Sequence, residues 1–238
     1  MNDEEYEILG QRKKVNEWSI GKEHLQLSKE MIVLDSPIPL KSISAGVTGA
    51  GMGWYQRFVN RHVDKEYNYD DYKQEMAQFL KEQGFDPNET VSMMTAVKLS
   101  HATYEEWQGH DFSLFIVVTA GTGNAVDASL GTRHLARLKP GTINTWVFVN
   151  GKLTNEAFIQ SIVTATEAKT KALHEMQIVD PITQTLATGT STDSILIASS
   201  QRGRELEFAG SISELGALIG QGVFSCTKKA LEKTRGEH

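Results

Sequence analysis

The stretch Phe112-Ser-Leu-Phe-Ile-Val-Val-Thr-Ala-Gly-Thr-Gly-Asn-Ala125 decides how the chain reads. Leu114–Val118 is an unbroken apolar run rich in β-branched residues. Such a short, continuous run suits a strand buried on both faces better than a half-solvated one. It stops at Ala120-Gly121-Thr122-Gly123-Asn124. Glycines two apart let the backbone turn sharply and approach a ligand closely. Asn124 tolerates left-handed geometry and offers both a donor and an acceptor. A buried strand that ends in a glycine-rich polar loop is where many α/β proteins place a site. A tight turn uses the same residues, and both readings stand at this stage.

Working outward, Trp18–Ile20 and Leu25–Leu27 alternate about Gly21-Lys22 and read as an N-terminal β-hairpin. Met31–Leu34 is a short apolar run that Pro37 and Pro39 are expected to end. Four glycines between Gly46 and Gly53 mark a loop that runs on to Trp54. Its spacing is neither the dinucleotide pattern nor a P-loop. Asp70 is expected to cap a helix whose Tyr72, Met76, Phe79 and Leu80 share a face and which Gly84 stops. Thr90–Val97 reads as a strand. Arg133–Pro140 is a basic connection, and Thr142–Leu153 reads as two strands turned by Asn150-Gly151.

Thr154 caps the longest internal helix, to about Gln177, with Phe158, Ile162, Ala165, Ala172, Leu173 and Met176 on one face. Thr185–Ser200 reads as strand, loop and strand. Ser211-Ile-Ser-Glu214 has the form of a capping box opening a last helix, with Leu215, Leu218, Ile219, Cys226 and Ala230 as its stripe. Its charged tail, Lys228–His238, is expected to fray. With no internal repeat or linker, residues 1–238 read as a single α/β (α+β) domain. It has a mixed β-sheet flanked by helices, with Leu114–Val118 among the inner strands.

The chain has 238 residues, 39% of them hydrophobic and 23% charged, ordinary values for a soluble globular protein. A net charge of −6 argues against nucleic acid or an anionic membrane as the main partner. No apolar run approaches the ~20 residues needed to span a bilayer, so membrane insertion is not expected. The acidic N-terminus lacks the order of a signal peptide, and the single Cys226 excludes an internal disulfide. These features suit a cytoplasmic location. Cys226, on an apolar stripe, is most simply a small buried hydrophobe.

Four places carry candidate chemistry. His62, in Asn60-Arg-His-Val-Asp64, is a general base, a ligand or a hydrogen-bonded loop histidine. The histidines show no metal-ligand spacing, so no metal site is expected. Lys169 falls in the middle of the apolar face of the long helix, where a lysine is expensive unless paired, bound to a ligand or snorkelled outward. Glu167 points the other way and can pair with Lys171 at i+4. Ala187-Thr-Gly-Thr-Ser-Thr-Asp-Ser194 crowds hydroxyls beside one carboxylate. It binds a polar ligand, activates a nucleophile, or satisfies its own backbone in Ser/Thr turns.

Thr164-Ala-Thr-Glu-Ala-Lys-Thr-Lys-Ala-Leu173, Ala187–Ser194, Gly141-Thr-Ile-Asn144, Gly121–Ala125, Asn60–Val63 and Met94-Thr-Ala-Val97 occur in order over Met31–Ser200. Together they resemble the adenosylcobinamide amidohydrolases of corrinoid salvage. Asp127 departs from the basic residue that the resemblance leads one to expect there. The resemblance implies cleavage of the amide that joins the aminopropanol arm to the corrin ring. The products would be adenosylcobyric acid and aminopropanol. It also implies a corrinoid substrate that carries its own cobalt, with no separate cofactor. The number of subunits stays open, a homo-oligomer included.

The candidates for catalysis are then Asp193 or Glu167 as base, Thr190 or Thr192 as nucleophile or ligand contact, Lys169 as oxyanion or pKa-depressing cation, and His62. Gly121, Gly123, Asn124, Asn60, Asn144, Thr192 and Trp54 are candidates for substrate binding, with Tyr55 beside Trp54 as a second aromatic. The alternative is a corrinoid-binding accessory protein of uptake without catalysis.

Overall fold

The computed structural model describes residues 18–67, 70–134 and 141–236. In chain order its strands begin with β1 (Leu25–Leu27), β2 (Met31–Ser44), β3 (Gly51–His62) and β4 (Thr90–Thr95). They continue with β5 (Thr103–Gln108), β6 (Ser113–Ala120), β7 (Ala125–Val126) and β8 (Ile143–Asn150). The last are β9 (Lys152–Leu153), β10 (Gly189–Thr190), β11 (Ser194–Ser199) and β12 (Glu205–Leu206). The α-helices are α1 (Tyr72–Glu82), α2 (Asn155–Glu175) and α3 (Glu214–Arg235). The architecture is a single α/β domain on an eight-stranded mixed sheet of order β4-β3-β2-β11-β8-β6-β5, with β1 paired to β2. Only the β3–β4 and β11–β8 pairs are parallel within it. Two short ribbons, β10–β7 and β12–β9, lie off the sheet.

The apolar run is strand β6, hydrogen-bonded to β5 on one side and β8 on the other, so Leu114–Val118 is an inner strand as expected. Its alternate residues enter two different cores. Leu114, Ile116 and Val118 pack with Ile143, Val147 and Val149 against α2 and α3. Phe115 and Val117 pack with Trp146 and Phe148 on the other face. A strand buried on both sides has no polar alternation, which explains the continuous hydrophobic pattern.

The second core shows how the sheet is shaped. In sheet order β3 lies three strand spacings from β8, roughly 14 Å if the sheet were flat. The rings of Phe58 on β3 and Phe148 on β8 nevertheless meet edge to face with centroids 5.1 Å apart. The β2–β3 pairing shifts register between Asp35 and Leu40, and past this bend the sheet folds back over its own centre. Ile32, Leu34, Leu40, Phe58, Val91 and Met93 fill the space between the two halves. Helix α1 covers the outer half through Met76 and Leu80 on Val33 and Val59. The result is helix, half-sheet, half-sheet, helices.

Several local expectations shift. The N-terminal hairpin pairs Leu25–Leu27 with Ile32–Leu34, one strand later than expected, around a Ser28 turn. Gly21 instead precedes a short 3-10 helix, Lys22–His24. Pro37 and Pro39 do not end β2. They sit in its register shift, where a missing N–H leaves no ladder position empty. Gly51–Trp54 are strand residues, so the expected loop is shorter. Asp71, not Asp70, caps α1 by accepting from the Gln74 amide. Strand β4 stops at Thr95.

Asn150-Gly151 turns no hairpin, because β8 pairs with β6 and β11 while β9 pairs with β12. The Asn150 side chain is buried, giving and accepting hydrogen bonds with the Ile20 backbone. Ser213 rather than Ser211 caps α3, which stays helical to Arg235 instead of fraying from Lys228. Strand β5 has no counterpart in the sequence reading, because its pattern of Tyr, Glu and Gln is that of a half-exposed edge. Residues 135–140 of the basic connection lie outside the described residues. Among the described residues no helix is long and apolar enough to cross a membrane.

Phe148 is fully buried against Phe58, Phe115 and Trp146. Phe148→Ala should lower the free energy of urea unfolding by about 3–5 kcal/mol, the usual loss for a large aromatic truncated in a core. A loss under about 1 kcal/mol would show that the two half-sheets are not packed through this residue.

Candidate active site

The loop from β10 to β11 is folded around Asp193. Its Oδ2 is in contact with the Lys169 ammonium and accepts the Thr190 amide at 3.1 Å. Its Oδ1 accepts the Thr190 hydroxyl at 2.5 Å and the Ile143 amide at 3.0 Å. The side chains of Lys169 and Asp193 are only 7% and 14% exposed. Lys169 is thus paired, which resolves why a lysine stands on the buried face of α2. Asp193 is saturated with donors, so it is better placed to hold the loop than to abstract a proton. Gly189 is needed beside the pair. A Cβ there would lie 2.5 Å from Asp193 Oδ2 and 2.9 Å from Lys169 Nζ.

A second polar group lies where the half-sheets meet. Asn144 Nδ2 donates to Asn60 Oδ1 and to the Met94 carbonyl, both at 2.8 Å. Asn60 Nδ2 donates to Thr119 Oγ1 at 3.0 Å. Thr142 Oγ1 donates to the Thr192 carbonyl at 2.8 Å. Asn60, Thr119 and Asn144 are almost wholly buried, so these amides join the two halves of the sheet. Two residues on from Asn60, on the same face of β3, the Nδ1 of His62 lies 3.0 Å from the Val97 carbonyl. A carbonyl only accepts, so Nδ1 carries the proton in that hydrogen bond.

The glycine-rich loop completes the arrangement. The Gly121 amide donates to the Thr142 carbonyl, and a Cβ at Gly121 would lie 2.6 Å from Val97 Cγ2. Asn124 Nδ2 donates to Ser191 Oγ at 2.7 Å and Thr192 Oγ1 at 3.3 Å. Its Oδ1 is buried without a partner and faces Gly141, where φ is +158° and a Cβ would lie 2.4 Å from it. Thr192 Oγ1 donates to the Gly141 carbonyl.

Beside these groups is a cavity of about 890 Å³. Its lining includes Thr142, Thr192, Asp193 and Ser194, the apolar and aromatic Val47, Val63, Met94, Tyr67 and Tyr72, and the charged Asp64, Lys65 and Glu66. The structure therefore brings together the Asn60–His62, Gly121–Asn124, Gly141–Asn144 and Thr188–Ser194 segments, with Gly46 at the cavity wall. Gly123 is exposed at the edge of its loop, and Thr190 sits behind Asp193 with its hydroxyl turned to that carboxylate.

Neither Trp54 nor His62 is among the cavity-lining residues; His62 immediately precedes Val63, which is. Trp54 is 58% exposed on β3, while Tyr55 packs on the inter-sheet core. Glu167 is on the exposed face of α2, away from Lys169, because residues two apart on a helix face opposite ways. Ser194 and Thr142 lay inside quoted motifs without being singled out, while Tyr67 and Tyr72 were missed, because nothing local marks them as cavity residues. Among the described residues no group of three His, Cys, Asp or Glu is placed to hold a metal.

Asp127 turns inward instead of toward the site. It accepts from the Ser129 amide and hydroxyl and from the Thr185 hydroxyl, and these bonds hold its carboxyl below the usual range. Beneath it, fully buried Asp180 accepts from the Asp127, Ile182 and Thr183 amides and pairs with His134. Burial alone would raise the Asp180 carboxyl, but these bonds outweigh it and hold the group far below the ordinary value. The Cys226 thiol is pushed far up by burial and by Glu105, so it stays protonated.

A family model described as adenosylcobinamide amidohydrolase matches residues 16–238. The chain belongs to this family. A relative from Methanosarcina mazei, named adenosylcobinamide amidohydrolase, is 27% identical over 83% of this chain and 92% of its own length. An uncharacterised protein of Methanocaldococcus jannaschii is 26% identical over 71% of this chain and 72% of its length. A Bacillus subtilis protein, described as an uncharacterised ABC transporter ATP-binding protein, is 24% identical over 87% of this chain. This chain spans only 38% of that relative's length.

Two predictions follow from the buried groups. Lys169→Met or Asp193→Asn alone should destabilise the fold by about 3–5 kcal/mol, because each leaves a buried partner uncompensated. Lys169→Met combined with Asp193→Asn should lose less than the sum of the two single losses in a double-mutant cycle, read by urea unfolding. Additive losses would mean the two side chains are not coupled. Asp180 has its carboxyl depressed in the folded state, so its contribution is full above about pH 4, the unfolded range, and is lost progressively as pH falls from there to the depressed folded value. Asp180→Asn should therefore lower the thermal midpoint at pH 7 and flatten its dependence on pH below about 4. An unchanged acid limb would argue against this.

Proposed function

We propose that this protein hydrolyses the amide between the aminopropanol arm and the corrin ring of adenosylcobinamide, giving adenosylcobyric acid and aminopropanol for cobamide salvage. What supports the reading is the family match together with a cavity of about 890 Å³, large enough for a bulky ligand, whose lining includes Val63, Met94, Thr95, Ala96, Gly141, Thr142, Thr192, Asp193 and Ser194 from four of the quoted segments. The corrinoid brings its own cobalt as part of the substrate.

Hydrolysis requires water to attack the amide carbon, a base to take its proton, a donor for the oxyanion and a proton for the leaving nitrogen. His62 suits the first transfer. The Val97 carbonyl fixes its tautomer, Nε2 takes the proton from water, and the resulting imidazolium returns it to the departing amine. Ser194 lines the cavity and donates to the Ala45 carbonyl over a long 3.4 Å, so its hydroxyl can turn to the oxyanion at little loss. Asp193 and Lys169 act behind them by holding the loop that carries Thr192 and Ser194. Asn60 and Asn144 keep β3, and with it His62, against β8.

The accessory-protein reading draws support from the transport-related description of the Bacillus relative. The test is incubation with adenosylcobinamide and chromatography for aminopropanol and a new carboxylate. Wild type should release both. His62→Gln keeps a donor for the Val97 carbonyl but removes the base, and should lose about a hundredfold or more in kcat with the thermal midpoint unchanged. Binding without turnover in wild type would favour the accessory reading. Full turnover in His62→Gln would remove His62 from the mechanism.

A further inference from the structure

The cavity has two unlike sides, and only one serves the chemistry just described. The other is carried by β3, β4 and the segment that leads into α1. It contributes Val47, Val63, Met94, Tyr67 and Tyr72 to the lining, with the charged Asp64, Lys65 and Glu66 between Val63 and Tyr67, while Thr142, Thr192 and Ser194 supply hydroxyls. A small linear amide would engage the hydroxyl side and leave this wall in contact with water. A ligand that uses both needs a hydrolysable polar arm and a broad apolar body.

Tyr67 is the built part of that wall. Its hydroxyl donates to Glu75 Oε2 at 2.8 Å. Glu75 in turn receives Arg61 on both carboxylate oxygens at 2.7 Å. The Arg61 guanidinium lies 3.9 Å from the centre of the Phe79 ring. Arg61 and Glu75 side chains are 17% and 22% exposed, so this pair is screened less than a surface one. The backbone end is fixed as well. The Tyr67 amide donates to the Asp64 carbonyl at 3.0 Å, and Asp64 Oδ1 accepts the Glu66 amide. Tyr72, by contrast, is 44% exposed. An aromatic ring held at both ends loses little freedom when a flat ligand lies against it, so its contact area converts efficiently into affinity.

We propose that Tyr67 is the platform for the macrocycle of the substrate, and so a specificity-determining residue of the site. The proposal rests on the corrinoid reading of the cavity. Phe79, Arg61 and Glu75 hold the platform, and because Arg61 adjoins His62 on β3, the same strand sets both the base and the surface that positions the ring.

Equilibrium dialysis followed by absorbance tests this with adenosylcobinamide, adenosylcobyric acid and dicyanocobinamide as probes. Tyr67→Ala should weaken all three about tenfold, the scale of a lost aromatic face. The same factor should fall on KM rather than on kcat. Tyr67→Phe keeps the ring and should lose no more than about threefold. Should the alanine variant fail to fold in a thermal melt, Tyr67→Leu replaces it, with apolar volume but no ring face, and the same loss is expected.

Unchanged binding in the alanine or leucine variant would overturn the platform. A loss confined to the two adenosylated probes would overturn it too, by assigning the ring to adenine. Wild type that binds none of the probes overturns both the platform and the corrinoid reading. Wild type that binds all three, with the Tyr67 dependence above, but does not cleave adenosylcobinamide overturns the hydrolase reading and leaves the platform standing.

Discussion

The contact on which the site depends is the buried pair of Lys169 and Asp193. Either charge alone at this depth would be penalised by several kcal/mol of lost hydration. Together they are tolerated because the remaining acceptor positions of Asp193 are filled by the Thr190 amide and hydroxyl and the Ile143 amide. The pair therefore joins α2, the start of β8 and the loop before β11 at one point. Those elements are distant in sequence and belong to different layers. Thr192 and Ser194 reach the cavity because the residue between them is anchored inward.

The second constraint is the bend in the sheet. A flat eight-stranded sheet would place His62 and Thr142 far apart, since their strands are not neighbours in its order. Folding the β2–β3–β4 portion back over β11, β8 and β6 brings them to one seam. The apolar half of that seam is sealed by Phe58, Trp146 and Phe148, and the polar half by Asn60, Thr119 and Asn144. Buried amides that satisfy one another specify register more sharply than apolar contacts, because a slip by one residue would strand their donors.

Asp127 and Asp180 show a different use of acid. Both accept several donors and face away from the cavity. They tie the β7–β10 ribbon, which carries Asn124 and Thr190 next to the site, to the segment that follows α2. At position 127, where the resemblance led one to expect a basic residue, the Asp127 side chain supports the loop from behind.

What the sequence determined by itself was local and periodic. Leu114–Val118 announced an inner strand because burial on both faces erases alternation. Thr154 and the 3.6-residue stripe of α2 announced a helix with Lys169 on its buried side. The resemblance named the family, and its motifs marked the segments that meet. Only the tertiary structure decided the partners. Asn150-Gly151 has the composition of a hairpin turn, yet β8 is buried between β6 and β11, and those ladders outweigh a local turn preference. Pro37 and Pro39 look like strand terminators, yet a register shift absorbs them. Trp54 was a candidate aromatic of the site and is exposed outside the cavity lining, while Tyr67 is part of that lining, held by a chain of contacts from Phe79 to Arg61 to Glu75. Propensity and periodicity act over a few residues and are written in the chain. Pairing of Asp193 with Lys169, or of Asn60 with Asn144, joins residues 24 and 84 positions apart, and which groups meet is settled by how the sheet bends.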